Sequence, residues 1–219
     1  MQTFSRHDLT DLFRSLAERM AAEQSYLAEL DGEIGDADHG VAMAGGFAAA
    51  ARALGEAGGA DQTLAQGLTL AASSLHNAVG ATTGPLYASA LLRAASALGA
   101  ETQVPLSRLP EVIVAMAEGI AARGQGKPGD KTMVDAWAPA AHAARAGLQA
   151  GQPATEVLAA AARAADGAQA TRAMMASRGR AARLGPRSVG HLDPGAVSAA
   201  ALLDSLAHWA RRRAEGSRP

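Results

Sequence analysis

Apolar residues recur along this chain at intervals of three, four and seven. Leu9, Leu12, Phe13, Leu16, Met20 and Leu27 open the pattern, and such spacing builds a helix with one buried face. Similar faces follow over about 40–55, 62–79, 85–99, 108–123, 132–149, 154–177 and 194–213. The pattern predicts eight helices and no strand. The punctuation agrees. Asp61 and Ser107 stand where a side chain would cap free backbone N–H groups. Pro85 follows Gly84 and Pro194 follows Asp193; proline suits a first helical turn, where its missing donor is not needed. Pro139 falls inside the sixth helix and predicts a kink. The Ala-rich run 157–170 keeps its leucine and charge spacing and reads as packed helix.

Composition narrows the class. Alanine supplies 57 of 219 residues and aromatics only 3%, which disfavours a β-sandwich or barrel and suits helices whose backbones approach closely. With 48% hydrophobic residues the chain can bury a sizeable core as one domain. A net charge of −1 provides no basic field for nucleic acid. The absence of cysteine excludes a disulfide framework, a Cys-type zinc site and a thiol nucleophile. Met1 to Thr10 carries Arg6, His7 and Asp8 and lacks the apolar stretch of a signal peptide. No run of about 18 uncharged apolar residues occurs that would span a membrane. The expectation is a soluble, cytoplasmic, all-α protein.

The unusual residues gather between the helices. Segments 31–39, 80–84, 124–131 and 178–193 are rich in Gly, Asp, Thr and Arg, and they follow the first, third, fifth and seventh predicted helices. If helices alternate up and down, all four meet at one rim. In the first segment Asp31, Asp36 and Asp38 place three short carboxylates in eight residues, with Gly32, Gly35 and Gly40 to bend the backbone. Carboxylates about 4 Å apart repel by roughly 4 kcal/mol per pair at an effective dielectric near 20. Such a cluster takes up protons or a divalent cation, and an oxygen-only set suits Mg²⁺ or Ca²⁺. The EF-hand pattern is absent. Mg²⁺ commonly shares its ligands with substrate phosphates, so a phosphate is implied; the plain alternative is a solvated Asp/Gly turn. His39 stands at a helix start, where anions are favoured. Gly80 to Leu86 offers hydroxyls at another helix start, or a plain Gly-Pro start.

Gly124, Gly126 and Gly129 match a dinucleotide fingerprint, but a helix and not a strand precedes them. Asp130 interrupts what would otherwise be a phosphate loop ending at Lys131, so both motifs are rejected and Asp130 is expected to cap the following helix. Arg178, Arg180, Arg183 and Arg187 give the last segment four cations for phosphates or an acidic partner. Arg211, Arg212 and Arg213 read as a basic helix end. His76, His142, His208, Trp137 and Trp209 are read as structural.

Asp31 to Gly40, Gly80 to Leu86, Pro128 to Met133, and Gly179-Arg180 through Gly190 to Gly195 occur in this order. Together they resemble the nucleotide-binding L subunits of dihydroxyacetone kinases, the DhaL family, over about residues 5–213, so the whole chain reads as one domain of that type. The resemblance implies a closed, barrel-like bundle of eight antiparallel helices with ADP or ATP at one rim. It implies two Mg²⁺ ions on Asp31, Asp36 and Asp38. It places His39, Gly40, Val41 and Ala42 near the phosphates, with Thr82 and Thr83 on a phosphate-contacting loop. Gly124 and Met133 would line the nucleotide pocket, and Arg180, Asp193, Pro194 and Gly195 would close it. It further implies a phosphoryl relay through the bound nucleotide to dihydroxyacetone held by a separate K subunit. The donor would be a phosphocarrier M subunit of the phosphotransferase system, and the chain would be inactive alone. A homodimer is compatible with this reading. Two alternatives stay open: an ATP-dependent kinase subunit for another short ketose such as erythrulose, and an ADP-loaded sensor docking on a transcription regulator. The family commonly has Gly-Gly-Ala-Ser-Gly-Pro where this chain has Gly80-Ala81-Thr82-Thr83-Gly84-Pro85, and the loop hydroxyl is kept. Arg183 and Pro186 also depart from the family and mark a region for partner contact.

Overall fold

The computed structural model of the protein describes residues 2–58, 62–80 and 82–216. Among them are nine α-helices: α1 Arg6–Ala22, α2 Gln24–Ile34, α3 His39–Glu56, α4 Leu64–Ala78, α5 Thr83–Leu98, α6 Leu109–Gly124, α7 Val134–Gln149, α8 Ala154–Ala164 and α9 Pro194–Glu215. Tighter 3-10 turns occupy Leu106–Arg108, Ala165–Ala173 and Ala181–Ser188. Helices pack neighbour on neighbour in the order α1, α3, α4, α5, α6, α7, α8, α9, and α9 returns to α1. Eight helices thus close a ring, while α2 lies against α3 and α9.

Small side chains let the ring close. Ala71, Ala90, Ala94, Ala140, Ala144 and Ala199 are fully buried between helices, where a methyl group permits close backbone approach. The scarce aromatics point inward. Phe13, Phe47, Tyr87 and Trp137 form a ladder with successive ring centroids 6.3, 5.7 and 6.3 Å apart, near the edge-on and offset geometries that aromatic pairs prefer. Packing beside them is incomplete, and an apolar cavity of about 50 Å³ remains among Phe4, Phe13, Phe47 and Trp137.

The seam between α1 and α9 is fastened by polar contacts. Arg213 Nε lies 2.7 Å from Asp8 Oδ1, Trp209 Nε1 donates to Asp11 at 3.0 Å, and Arg19 meets Asp204 at 3.2 Å. Arg213 is therefore more than a basic helix end. Asp8 also completes a capping box with Ser5, so one carboxylate both starts α1 and holds α9.

Several expectations are corrected. Thr3–Ser5 (β1) pairs antiparallel with Gln103–Pro105 (β2), burying Phe4 opposite Val104; three residues are too few to show an alternating pattern. The first predicted helix is two, because Glu23 ends α1 and starts α2. The predicted 154–177 helix is α-helical only to Ala164 and then tightens to 3-10. Thr63, in a capping box with Gln66, caps α4; Asp61 lies outside the described residues. Ser107 caps nothing, since a 3-10 turn leads into α6 with Arg108 at its N-cap position. Helix α5 begins at Thr83, two residues before Pro85. Pro139 lies inside α7, as the sequence places it. Proline cannot donate to the Asp135 carbonyl one turn back, and Gly167 packs against that oxygen.

Close helix contact gives a paired prediction. A Cβ on Gly119 in α6 would lie 2.6 Å from the Ser89 carbonyl and 2.8 Å from Ala90 Cα, so Gly119→Ala must push two backbones apart. Exposed Gly45 in α3 has nothing within 4 Å of such a Cβ. Urea denaturation is expected to show Gly119→Ala losing about 1–3 kcal/mol and Gly45→Ala gaining up to about 1 kcal/mol from helix propensity.

Candidate functional site

The acidic excursion is shorter than its sequence suggests. Asp31 lies in the last turn of α2, and only residues 35–38 leave helical structure before α3 begins. Gly35 is needed there, because a Cβ would overlap Asp31 Oδ1. Ala37 turns the chain with φ +62°, an unusual conformation for a residue with a side chain. Asp31 Oδ2 accepts from the N–H groups of Asp38 and His39 at 2.9 and 3.2 Å, so this carboxylate stitches the end of α2 to the start of α3. As a result, carboxylate oxygens of Asp31, Asp36 and Asp38 lie within 4.8 Å of one another. At that spacing each pair repels by roughly 3–4 kcal/mol at an effective dielectric near 20. The Arg180 guanidinium answers part of this charge, pairing with Asp36 and lying 3.3 Å from Asp38. The donor set is all oxygen, short and converging, which fits a hard divalent cation such as Mg²⁺.

The four unusual segments share one cleft of about 380 Å³, a size suited to a small-molecule ligand. Asp31, Asp36, Asp38 and His39 line it from the first segment, Thr82 and Thr83 from the second, Gly124 from the third with Met133 just beyond it, and Arg180 and Asp193 from the fourth, with Pro194 and Gly195 at the start of α9. Gly40, Val41 and Ala42 lie outside the lining. Gly40 faces α2, where a Cβ would overlap the Gln24 carbonyl; Val41 is 59% exposed; and the Ala42 N–H is taken by the Asp38 carbonyl. Ala81 is outside the described residues. Thr82 is the N-cap residue of α5, and its hydroxyl makes no capping bond. Leu86, Ile120, Met133 and Val134 give one side of the cleft an apolar wall.

His39 is buried, and its Nε2 lies 2.9 Å from Ser198 Oγ, whose hydroxyl donates to the Gly195 carbonyl. Burial holds its pKa below the ordinary imidazole value, against the pull of Asp31 and a hydrogen bond to the Pro194 backbone. It ties α3 to the first turn of α9. Asp193 caps α9 through Ala196 N at 2.7 Å, and its own N–H donates to Thr171 Oγ1 at 3.0 Å. Burial, with Asp135 and Asp31 nearby, pushes its carboxyl up to about 7, against the Ala196 bond and Lys131.

Two residues were misread from the sequence. Asp130 does not cap α7. Its carboxylate accepts from Lys127 N and Ser177 Oγ and meets Arg178 Nε at 3.1 Å, while Asp135 accepts from Thr132 N at 2.8 Å at the helix start. The reason is geometric: Lys131 follows with φ +61° and turns Asp130 away from the helix. Lys131 itself lines the cleft, is only 1% exposed, and gives its Nζ to the carbonyls of Thr171 and His191. Residue order assigns Lys131 no role, because the backbone carbonyls that hold it leave no residue signature.

A match to the DAK2 domain spans residues 33–208. The chain is 36% identical over 206 residues to the ADP-binding subunit DhaL of the PEP-dependent dihydroxyacetone kinase of Escherichia coli (strain K12), covering 94% of this chain and 97% of that protein. It is 35% identical over 190 residues to an L-erythrulose 1-kinase of Mycolicibacterium smegmatis, covering 85% of this chain and 32% of that protein. Its fold is similar to that of the dihydroxyacetone kinase from C. freundii in complex with AMP-PNP and Mg²⁺, with a TM-score of 0.70 and 23% identity, over 95% of this chain and 35% of that one. The chain thus spans about a third of the length of the latter two proteins.

The raised carboxyl of Asp193 has a measurable consequence. An ordinary aspartate titrates near 3.8. Between about pH 4 and 7 the folded protein therefore keeps a proton that the unfolded chain has lost, and stability falls as pH rises through that window. Asp193→Asn keeps a capping oxygen and cannot ionise. In ligand-free protein it is expected to be more stable than the parent at pH 8, by on the order of 1 kcal/mol, with the difference shrinking toward pH 4 in thermal melts.

Proposed function

The chain belongs to the DAK2 domain family, and from that premise we propose that it is the nucleotide-binding subunit of a dihydroxyacetone kinase. The observation that carries this reading is the single cleft in which three aspartates, an arginine, two threonines and an apolar wall converge. These groups sort by chemistry. Leu86, Ile120, Met133 and Val134 suit an adenine base beside Gly124. Thr82, Thr83 and Arg180 supply donors for phosphate oxygens. Asp31, Asp36 and Asp38 hold the cation, two Mg²⁺ in our reading, and His39 braces the start of α3 behind them. Magnesium held there would supply positive charge to neutralise phosphate oxygens.

No residue in the cleft is placed as a nucleophile or as a base for a sugar hydroxyl, and phosphoryl transfer is managed by positioning and charge neutralisation. Asp31 holds the approach of α3 through two N–H bonds. Arg180 spans the mouth. The ketose belongs to a separate K subunit, and the phosphoryl group reaches the nucleotide from a phosphocarrier M subunit. Support for the relay comes from the relative covered almost end to end, a subunit of a PEP-dependent kinase. The erythrulose kinase is matched over about a third of its length, which ranks an ATP-dependent kinase of another ketose second. Arg183 and Pro186 mark the region we assign to contact with the K subunit. Among the described residues no helix is long and apolar enough to cross a membrane.

The test is nucleotide binding with and without Mg²⁺. Asp36 is about half exposed and outside the core, so Asp36→Ala should fold normally. It is expected to weaken Mg²⁺-dependent ADP binding by about 100-fold, the loss of a close charge interaction of roughly 3 kcal/mol; unchanged affinity in calorimetric titration would reject the metal assignment. Phosphorylation of dihydroxyacetone should appear only when a K subunit is added, and robust turnover by this chain alone would reject the subunit reading.

A further inference from the structure

The segment from Thr171 to Asp193 leaves the ring, carries Arg178 and Arg180 across the cleft, and returns to start α9. Its two ends are tied to each other. Gly190 N donates to the Arg172 carbonyl at 2.8 Å, Arg172 Nη1 donates to the Gly190 carbonyl at 2.8 Å, and Asp193 N donates to Thr171 Oγ1 at 3.0 Å. Lys131 Nζ sits between these ends, donating to the carbonyls of Thr171 at 2.6 Å and His191 at 2.5 Å. With 1% exposure, it is sealed from solvent.

The middle of the same segment is held by the preceding residue. Ser177 N donates to the Asp130 carbonyl at 3.2 Å, Ser177 Oγ donates to Asp130 Oδ1 at 2.7 Å, and Arg178 Nε meets Asp130 Oδ2 at 3.1 Å. The second oxygen is also held from its own side by Lys127 N at 2.9 Å. Two adjacent residues therefore grip the arginine segment at its base and at its middle, just short of Arg180. The two grips differ in kind. The base is dry and made to backbone, so opening it strands a buried ammonium group. The middle is a partly exposed ion pair with hydrogen bonds, which water can replace at modest cost.

We infer that Asp130 and Lys131 are a positioning pair that fastens the arginine segment over the cleft, Lys131 as its fixed base and Asp130 as a releasable latch, and that the latch sets how fast a bound nucleotide leaves. The second half rests on the nucleotide reading above; the first half does not. Neither residue touches the proposed ligand as a catalytic group. Release of the latch frees Ser177 and Arg178 from the α7 side, leaving the turn at Arg180 held only by its exposed pairing with Asp36 and Asp38, while the pinned base keeps the Asp193 cap in place.

The experiment uses the full chain with Asp130→Ala and Asp130→Asn beside the parent. Limited trypsin digestion of nucleotide-free protein reports opening at Arg178, Arg180, Arg183 and Arg187, because cleavage requires local release of the chain. Stopped-flow chase of a fluorescent ADP analogue with Mg²⁺ reports its departure. Cutting within 178–187 is expected to be about fivefold faster or more in Asp130→Ala, the scale of one lost hydrogen-bonded anchor. Asp130→Asn, which keeps one acceptor oxygen and loses the charge, should fall between it and the parent. The urea midpoint should stay at the parent value, which separates a latch from a merely structural role. The analogue should leave about tenfold faster from Asp130→Ala. Equal cutting of parent and Asp130→Ala would overturn the latch. Faster cutting with unchanged departure would overturn its control of the nucleotide. If the parent binds no analogue, the nucleotide reading fails, and the claim of control over the nucleotide fails with it, while the digestion still decides the latch.

Discussion

Mutual repulsion among Asp31, Asp36 and Asp38 is the constraint around which this end of the ring is built. Each carboxylate is held by something that costs conformational freedom: Asp31 by the two N–H groups it binds, Asp36 and Asp38 by the left-handed turn at Ala37 between them. Gln125 and Lys131 are the other non-glycine residues with positive φ among those described, and both belong to the segment across the cleft. Backbone strain in this molecule is thus concentrated where charge is concentrated. A rigid ring of close-packed helices can carry that strain because its own backbone is regular and its alanine-lined contacts leave little room to relax.

How much of this could be read from residue order depended on the range of the interaction. Period-three-and-four spacing located the ring helices because each buries a face wherever its neighbours lie. The aspartates were visible because they are close in sequence as well as in space. The break at Glu23 was not visible, because a polar residue on an exposed face interrupts no pattern. The pairing of Thr3–Ser5 with Gln103–Pro105 spans about half the chain, and neither partner declares itself locally. Lys131 and Asp130 were misjudged for one shared reason: their partners are carbonyls, hydroxyls and a guanidinium some 40–60 residues away. A local reading offered only a helix cap for Asp130 and no role for Lys131.

Electrostatics in the cleft follow burial more than sequence neighbourhood. Asp193 and Asp130 are both aspartates at loop ends, yet they shift in opposite directions. Burial raises the first; the Lys127 N–H and the Ser177 hydroxyl, with Arg178, hold the second low. A reader of the sequence sees two similar letters, whereas the fold distinguishes a buried cap whose pKa is raised from an exposed carboxylate held below its ordinary value. His39 shows the same principle in reverse, since the pKa of an imidazole beside an acidic cluster would be expected to rise and burial holds it below the ordinary value.

The seam between α1 and α9 brings Gln2 against the last turn of α9, where its Nε2 donates to the Ala214 carbonyl at 2.9 Å, and the Gln2 carbonyl accepts from Leu106. Leu106 belongs to the α5–α6 connection, a helix length of about 24 Å from the cleft-facing ends of those helices. The strand entering the ring and the helix leaving it are therefore side by side on the face turned away from the mouth. A ring arranged this way can be spliced into a longer polypeptide, or permuted to begin elsewhere, without anything being threaded past its opening. That property would let one architecture serve both as a detachable part and as a fused segment of larger kinases.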